Sequence, residues 1–247
     1  MNWPHGYGHL PLGEVGSTLD EAGRRLADFA GPTWITATRQ TAARGRRGRA
    51  WANPEGNFAA TLVLPGLAPE TAALRSFTAA LALHETCVAL TGRPEAFALK
   101  WPNDVLLNGG KLAGILLESL SAAGRYAGLA IGIGVNLAQA PELSGIEPGA
   151  LRPVSLAGET GVSVPPADFL EALAPAYAHW EAQLAGFGFA PVRTAWLARA
   201  ARLGETLTAR LPAEEITGIF RDVDENGHLL LTTATGTRRI AAADIFF

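Results

Sequence analysis

Asn108-Gly109-Gly110 separates two apolar runs, Val105-Leu-Leu and Lys111 to Ser119. Residues that accept positive φ, placed between apolar segments, predict a tight hairpin, because such turns match the twist of antiparallel strands. Leu129-Ala-Ile-Gly-Ile-Gly-Val-Asn-Leu alternates small and branched residues and predicts the next antiparallel strand. Strands are also expected over Trp34 to Thr38, Phe58 to Leu64 and Ala96 to Trp101, the last stopped by Pro102. Helical spacing marks Thr18 to Phe29, with Ser17 and Thr18 as candidate N-caps, then Leu74 to Leu90 and Pro166 to Leu184. A Pro- and Gly-rich stretch from Pro141 to Pro153 reads as a surface loop. Helices with a hairpin-connected sheet make an α+β domain.

After Arg202 the texture changes to short segments, Glu205 to Leu211, Glu215 to Asp222, His228 to Thr233 and Arg238 to Ala243. Breaks at Pro212, Asp224-Glu-Asn-Gly227 and Gly236 predict a small β-barrel. The division expected is 1–201 and 202–247. A unit of about 45 residues is marginal alone, so it should lean on the larger domain and border its site. The chain has 247 residues, 48% of them hydrophobic, which excludes disorder. Its net charge of -3 provides no global field for polyanions, so phosphate chemistry must be local. Cys87 has no intrachain partner and is expected in the core. No stretch reaches the roughly 18 apolar residues of a membrane span, and the first residues lack a leader pattern. These features predict a reducing cytoplasm and no membrane partner.

Ala43-Arg44-Gly45-Arg46-Arg47-Gly48-Arg49-Ala50-Trp51 concentrates four arginines in six positions. Like charges repel at this density, so the run calls for an anion. Arginine offers bidentate bonds to phosphate or carboxylate, and glycine lets a backbone come close. Trp51 could stack on a planar base or supply an apolar lid. A solvated basic turn and a nucleic-acid patch are competing readings of the same run. The 20 basic residues are all arginine except Lys100 and Lys111, which suggests two sites that need a compact ammonium, with chance survival under a compositional bias as the alternative. Both lie in Lys100-Trp-Pro-Asn103-Asp104 and Lys111-Leu-Ala-Gly114-Ile-Leu-Leu-Glu118. Lys111, just past a turn, can reach a bound carboxylate or phosphate; Asp104 could hold a metal or orient a cation, or simply form a surface pair with Lys111. Gly132-Ile-Gly134-Val-Asn136 fails the dinucleotide fingerprint, and Gly109-Gly110-Lys111 lacks the Ser or Thr of a phosphate loop. Gly132 and Gly134 instead share one strand face and leave a flat surface for a ligand, with Asn136 offering a donor and an acceptor beyond them. The five histidines are scattered, and no metal site is expected from them.

In this order, Ser17-Thr18, Gln40 to Arg49, Trp51, Lys100 to Asp104, Lys111 to Glu118 and Gly132 to Asn136 resemble biotin protein ligase over essentially the whole chain. The resemblance implies a class II synthetase-like domain with a mixed, mostly antiparallel sheet flanked by helices, and a C-terminal SH3-like β-barrel. It implies activation of biotin with ATP and Mg²⁺, then transfer to a lysine of a biotin carboxyl carrier protein. By position, Ser17, Thr18, Gln40, Arg44, Gly45, Arg46, Lys111, Gly114, Gly132 and Gly134 would meet biotin. Arg46, Arg49, Trp51, Asn103, Asp104, Lys111 and Asn136 would meet ATP, with Asp104 toward Mg²⁺. Lys111 and Arg44 are the expected catalytic groups, and Ala43 to Trp51 is expected to order only on ligand binding. A homodimer is likewise implied. Leu19 and Ala43 depart from the usual Asn and Gly, and an alanine that had to adopt positive φ would alter loop closure. Only 16 residues precede Ser17, too few for a DNA-reading helix pair, so operator binding is not expected. A lipoate or octanoate ligase and an RNA-binding protein are the alternatives. The first would need an acyl tunnel; the second would leave Lys100, Asp104, Lys111 and Asn136 without a role.

Overall fold

The structure is a computed structural model that describes residues 3–141 and 151–246. In chain order it runs β1 (Gly8–Val15), α1 (Thr18–Arg24), β2 (Thr33–Gln40), β3 (Phe58–Pro65), α2 (Arg75–Thr91), β4 (Phe97–Lys100), β5 (Asp104–Leu107), β6 (Gly110–Ala122) and β7 (Arg125–Val135). It continues through α3 (Leu156–Thr160), α4 (Pro166–Phe187), α5 (Phe189–Leu197), β8 (Thr206–Arg210), β9 (Glu215–Val223), β10 (Leu229–Thr233), β11 (Gly236–Ile240) and β12 (Asp244–Phe246). Most of the loop expected between Pro141 and Pro153 lies outside the described residues.

Strands β1 to β7 form one sheet in the order β1-β2-β3-β7-β6-β5-β4. Its ladders are antiparallel except β1 with β2, which pair in parallel across the α1 connection. The sequence reading misses β1 because Pro11 and two glycines break its pattern. An edge strand tolerates this, since a proline there need not donate to a neighbour. The Asn108-Gly109 turn is as expected, with φ of 49° and 76° at the two residues. α1 is shorter than expected and ends at Arg24, ahead of a 3₁₀ turn over Leu26–Asp28. Ser17 is its N-cap, accepting from the Leu19 amide at 3.2 Å.

One face of the sheet carries Phe58, Leu62, Ile131 and Val135 into a large core with Leu83 of α2 and Phe169 and Tyr177 of α4. Cys87 is buried in that core, as expected, and burial pushes its thiol up to about 12. The other face carries a smaller cluster in which Leu19, Ala22 and Leu26 pack on Ile35, Val63 and Ala130. α1 covers only part of this second face, and a cavity opens beside it.

Strands β8 to β12 form a second antiparallel sheet in the order β11-β10-β9-β8-β12. It is not independent of the first: Trp196 packs on Phe220 with ring centroids 6.4 Å apart, and Trp101 Nε1 donates to the Gly227 carbonyl at 3.0 Å. Leu207, Ala209 and Phe220 continue the large core. The expected leaning of the small unit on the larger domain is therefore present, and β12, three residues long, is the strand missed there.

Candidate active site

Strand register builds the cavity floor. Lys100, Asp104, Gly114, Gly134 and Ala59 are successive partners across β4, β5, β6, β7 and β3, and the neighbouring row joins Leu116, Gly132 and Thr61. Residues two apart share a face, so Gly132 and Gly134 lie side by side on the cavity side. Lys111 and Gly114, three apart, should point to opposite faces. A bulge opposite Val105 and Leu106 inserts Leu112, pairs Lys111 with Leu106 and returns Lys111 to the face of Asp104. No feature of the sequence announces that bulge.

The glycines are needed for close approach. A Cβ on Gly134 would lie 2.5 Å from the Trp51 indole, and one on Gly114 would lie 3.1 Å from it. One on Gly132 would meet Leu19 at 3.0 Å, so Leu19 forms part of the wall and is only 6% exposed. Beside them Gln40 Oε1 accepts from the Thr18 amide at 2.7 Å and the Thr18 hydroxyl at 3.1 Å, while Thr61 donates to that hydroxyl at 2.8 Å. This chain of polar groups, held by α1, β2 and β3, makes a fixed donor and acceptor array at one end of the cavity.

Lys111 Nζ lies 2.7 Å from Asp104 Oδ1, and Lys100 Nζ lies 4.0 Å from Asp104 Oδ2. The Asp104 side chain is only 12% exposed, which removes the simple surface-pair reading. Lys111 Nζ also sits 5.6 Å from the centre of the Trp51 ring. Burial lowers the affinity of Lys100 for its proton, an effect opposed by Asp104. Both lysines thus converge on one carboxylate.

The arginine run forms the roof. The Gly45 amide bonds to the Arg49 carbonyl at 2.7 Å and the Trp51 amide to the Ala43 carbonyl at 3.0 Å, which closes the loop on itself. Its left-handed residues are Arg47 and Gly48, with φ of 57° and 71°, and Ala43 is not among them. Ala43 therefore takes its place in the loop without the positive φ that an alanine resists. Arg44 makes a bidentate pair with Glu118 at 2.9 and 2.8 Å and a third bond to Asp20 at 2.8 Å. The Glu118 contact is the largest cause that raises the Arg44 guanidinium above its already high ordinary proton affinity. Arg44, expected as a catalytic cation, is thus bound by protein carboxylates in this arrangement and anchors the loop to the sheet. Arg46 reaches Asn103 Oδ1 at 3.4 Å and the Ala243 carbonyl at 3.2 Å, and burial lowers its proton affinity.

Two other expected contacts are also engaged within the protein. The Asn136 amide, 2% exposed, donates to the Val154 carbonyl at 3.0 Å and accepts from Asn57 at 3.5 Å, making it a strut beyond β7. Asn103 donates to the Ile115 carbonyl at 2.7 Å. Even so, Ser17, Thr18, Gln40, Arg44, Gly45, Arg46, Arg49, Trp51, Asn103, Asp104, Lys111, Gly114, Gly132, Gly134 and Asn136 all line one cavity of about 750 Å³. Lys100, Asp244, Ile245 and Phe246 line it too, and the last three were not foreseen individually. Among the described residues no group of three or more His, Cys, Asp or Glu side chains is disposed to hold a metal.

The mixed sheet, its glycine floor, two lysines gathered on one carboxylate and an arginine roof enclose a single cavity suited to an anionic ligand. Residues 13–136 match the Biotin/lipoate A/B protein ligase family and residues 203–247 match the Biotin protein ligase C terminal domain. The chain belongs to the biotin protein ligases of that family. It is 52% identical over 237 residues to biotin--[acetyl-CoA-carboxylase] ligase of Paracoccus denitrificans, covering 96% of this chain and 99% of that one. It is 30% identical to the bifunctional ligase/repressor BirA of Bacillus subtilis, covering 96% of this chain and 73% of the relative. Among solved structures, biotin protein ligase from Aquifex aeolicus in complex with biotin and ATP superimposes with a TM-score of 0.82 at 27% identity, covering 96% and 97% of the two chains. The Leishmania major enzyme in complex with biotinyl-5-AMP gives 0.67 at 27% identity, covering 95% and 99%.

Proposed function

We infer that this chain activates biotin with ATP as biotinyl-5′-adenylate and transfers the biotinyl group to a specific lysine of a biotin carboxyl carrier protein. The observation that carries the reading is the gathering of every expected biotin and ATP contact around one cavity. The 52% identical relative supports biotin over lipoate. The fixed Thr18-Gln40 array suits the ureido ring, which presents donors and an acceptor, and the Gly132-Gly134 floor suits that ring's planar face.

Attack of the biotin carboxylate on the α-phosphate forms the mixed anhydride and releases pyrophosphate. Two anions meet, so preorganised cations are the chief catalytic need. Lys111 is best placed to supply one. Asp104 holds its ammonium at a defined point, and the charge moves to the ligand oxygens when these arrive. Trp51 and the arginine roof exclude water from an anhydride that hydrolyses readily. The carrier amine then attacks the acyl carbon, and AMP leaves. A magnesium ion entering with ATP would screen phosphate charge. Asp104 is the one carboxylate expected to meet it and is already paired with Lys111, a donor set that suits a metal held mainly by phosphate oxygens.

The division at residue 201, a homodimer and a cytoplasmic location complete the proposal. The outer edge of β1 offers a strand for pairing between copies. Among the described residues no helix is long and apolar enough to cross a membrane. The decisive measurement is biotin-dependent exchange of labelled pyrophosphate into ATP. Exchange that requires lipoate and ignores biotin would overturn the reading in favour of a lipoate ligase.

A further inference from the structure

We propose that Asp244, on the final strand β12, is the positioning residue that holds the arginine loop closed over the nucleotide half of the cavity. Arg47 Nη1 and Arg49 Nη2 both donate to Asp244 Oδ2, at 2.5 and 2.9 Å. The adjacent Ala243 carbonyl takes Arg46 at 3.2 Å. Three of the four loop arginines therefore end on two consecutive residues almost two hundred positions away. The Asp244 side chain is 12% exposed while Arg47 and Arg49 are 41% and 48% exposed, so the acceptor is held in the protein and its donors meet solvent.

The acceptor is itself rigid. Asp244 and Ile245 pair with Arg210 and Ala209 of β8, and Ala243 and Ile245 are buried. The loop is closed by its own backbone bonds, so fixing Arg47 and Arg49 also sets Arg46 and Trp51 above the floor. Arg47 holds φ of 57°, a conformation that costs a non-glycine residue free energy and that the ion pair offsets. Arg44 ties the opposite side of the loop to Asp20 and Glu118. The roof thus hangs between two anchors, one on each sheet, and the C-terminal sheet supplies the anchor nearer the expected ATP contacts. Without it, binding nucleotide must also order the loop, and affinity falls by that fraction.

This rests on the nucleotide placement proposed above, and two readouts on the full chain keep them separable. In Asp244→Asn, KM for ATP should rise about tenfold and KM for biotin, which meets Arg46 but rests mainly on the floor and the Thr18-Gln40 array, no more than about threefold, as expected for loss of a partly buried anchor. Tryptic cleavage at Arg44, Arg46 and Arg49, which needs no catalysis, should quicken without ligand, with the unfolding midpoint unchanged. Asp244→Glu should restore both. Arg47→Gln, which removes one donor without touching Asp244, should show the same signature and should not add to Asp244→Asn; it carries the test if the latter fails to fold. Unchanged KM for ATP with unchanged cleavage would overturn the proposal, as would an equal rise in both KM values with a lowered midpoint.

Discussion

Gly114, Gly132 and Gly134 are placed by backbone ladders running through β3, β7 and β6, whereas Arg44, Arg46, Arg47 and Arg49 across the cavity are placed by side chains ending on Glu118, Asp20, Ala243 and Asp244. Ladder bonds lie inside a sheet and barely respond to ionic strength. Partly exposed ion pairs are screened over a Debye length of about 8 Å at physiological salt. The floor is a template and the roof is a closure that conditions can loosen. An enzyme that must admit two substrates, guard an anhydride and then present it to a protein needs both.

Lys111 sits between the two regions, on a floor strand but touching the roof through Trp51, and its loss should have the largest effect. Lys111→Ala is expected to lower pyrophosphate exchange by about 10² or more, as single preorganised donors do. Wild-type turnover there would remove Lys111 from the chemistry. Gly134→Val tests the template. Its side chain enters space already taken by Trp51 and should cost about 10² in kcat/KM for biotin, since small displacements in such sites are expensive. If the variant keeps normal biotin kinetics, close approach to that strand is not required. Glu118→Gln frees one side of Arg44, an expected biotin contact, and should cost about fivefold in kcat/KM for biotin, in keeping with a partly exposed bidentate pair. Raising salt from about 0.05 to 0.5 M should raise KM for ATP about threefold and KM for biotin less, because salt screens the roof while biotin also rests on the Thr18-Gln40 array and the glycine floor. Equal salt sensitivity of both constants would erase the distinction between the regions. Leu19→Asn should change turnover least. It removes an apolar side chain from the cluster under α1 and should lower unfolding free energy by about 2 kcal/mol in urea titration.

The residues expected to carry chemistry were legible because each expected role needs a particular side chain. A flat floor needs glycine, an anhydride site needs fixed cations, and a turn with two left-handed residues favours Asn-Gly. Hairpins and long helices were legible for the related reason that their periodicity is local. Strand β1 was not, because Pro11 suits an edge that only the finished sheet defines. The engagement of Arg44 by Asp20 and Glu118 was equally hidden, since arginines in a run look alike until folded carboxylates choose among them.

The amino-acid order by itself determined which groups are available: the glycine pairs, the two lysines, the arginine run and the Ser-Thr-Gln set. Tertiary structure alone decided their facing and their partners. One inserted residue at Leu112 turned Lys111 toward Asp104, and the packing of a second sheet brought Asp244 to Arg47 and Arg49. Side-chain identity is a property of a position, whereas register and long-range charge pairing exist only once distant segments share a surface.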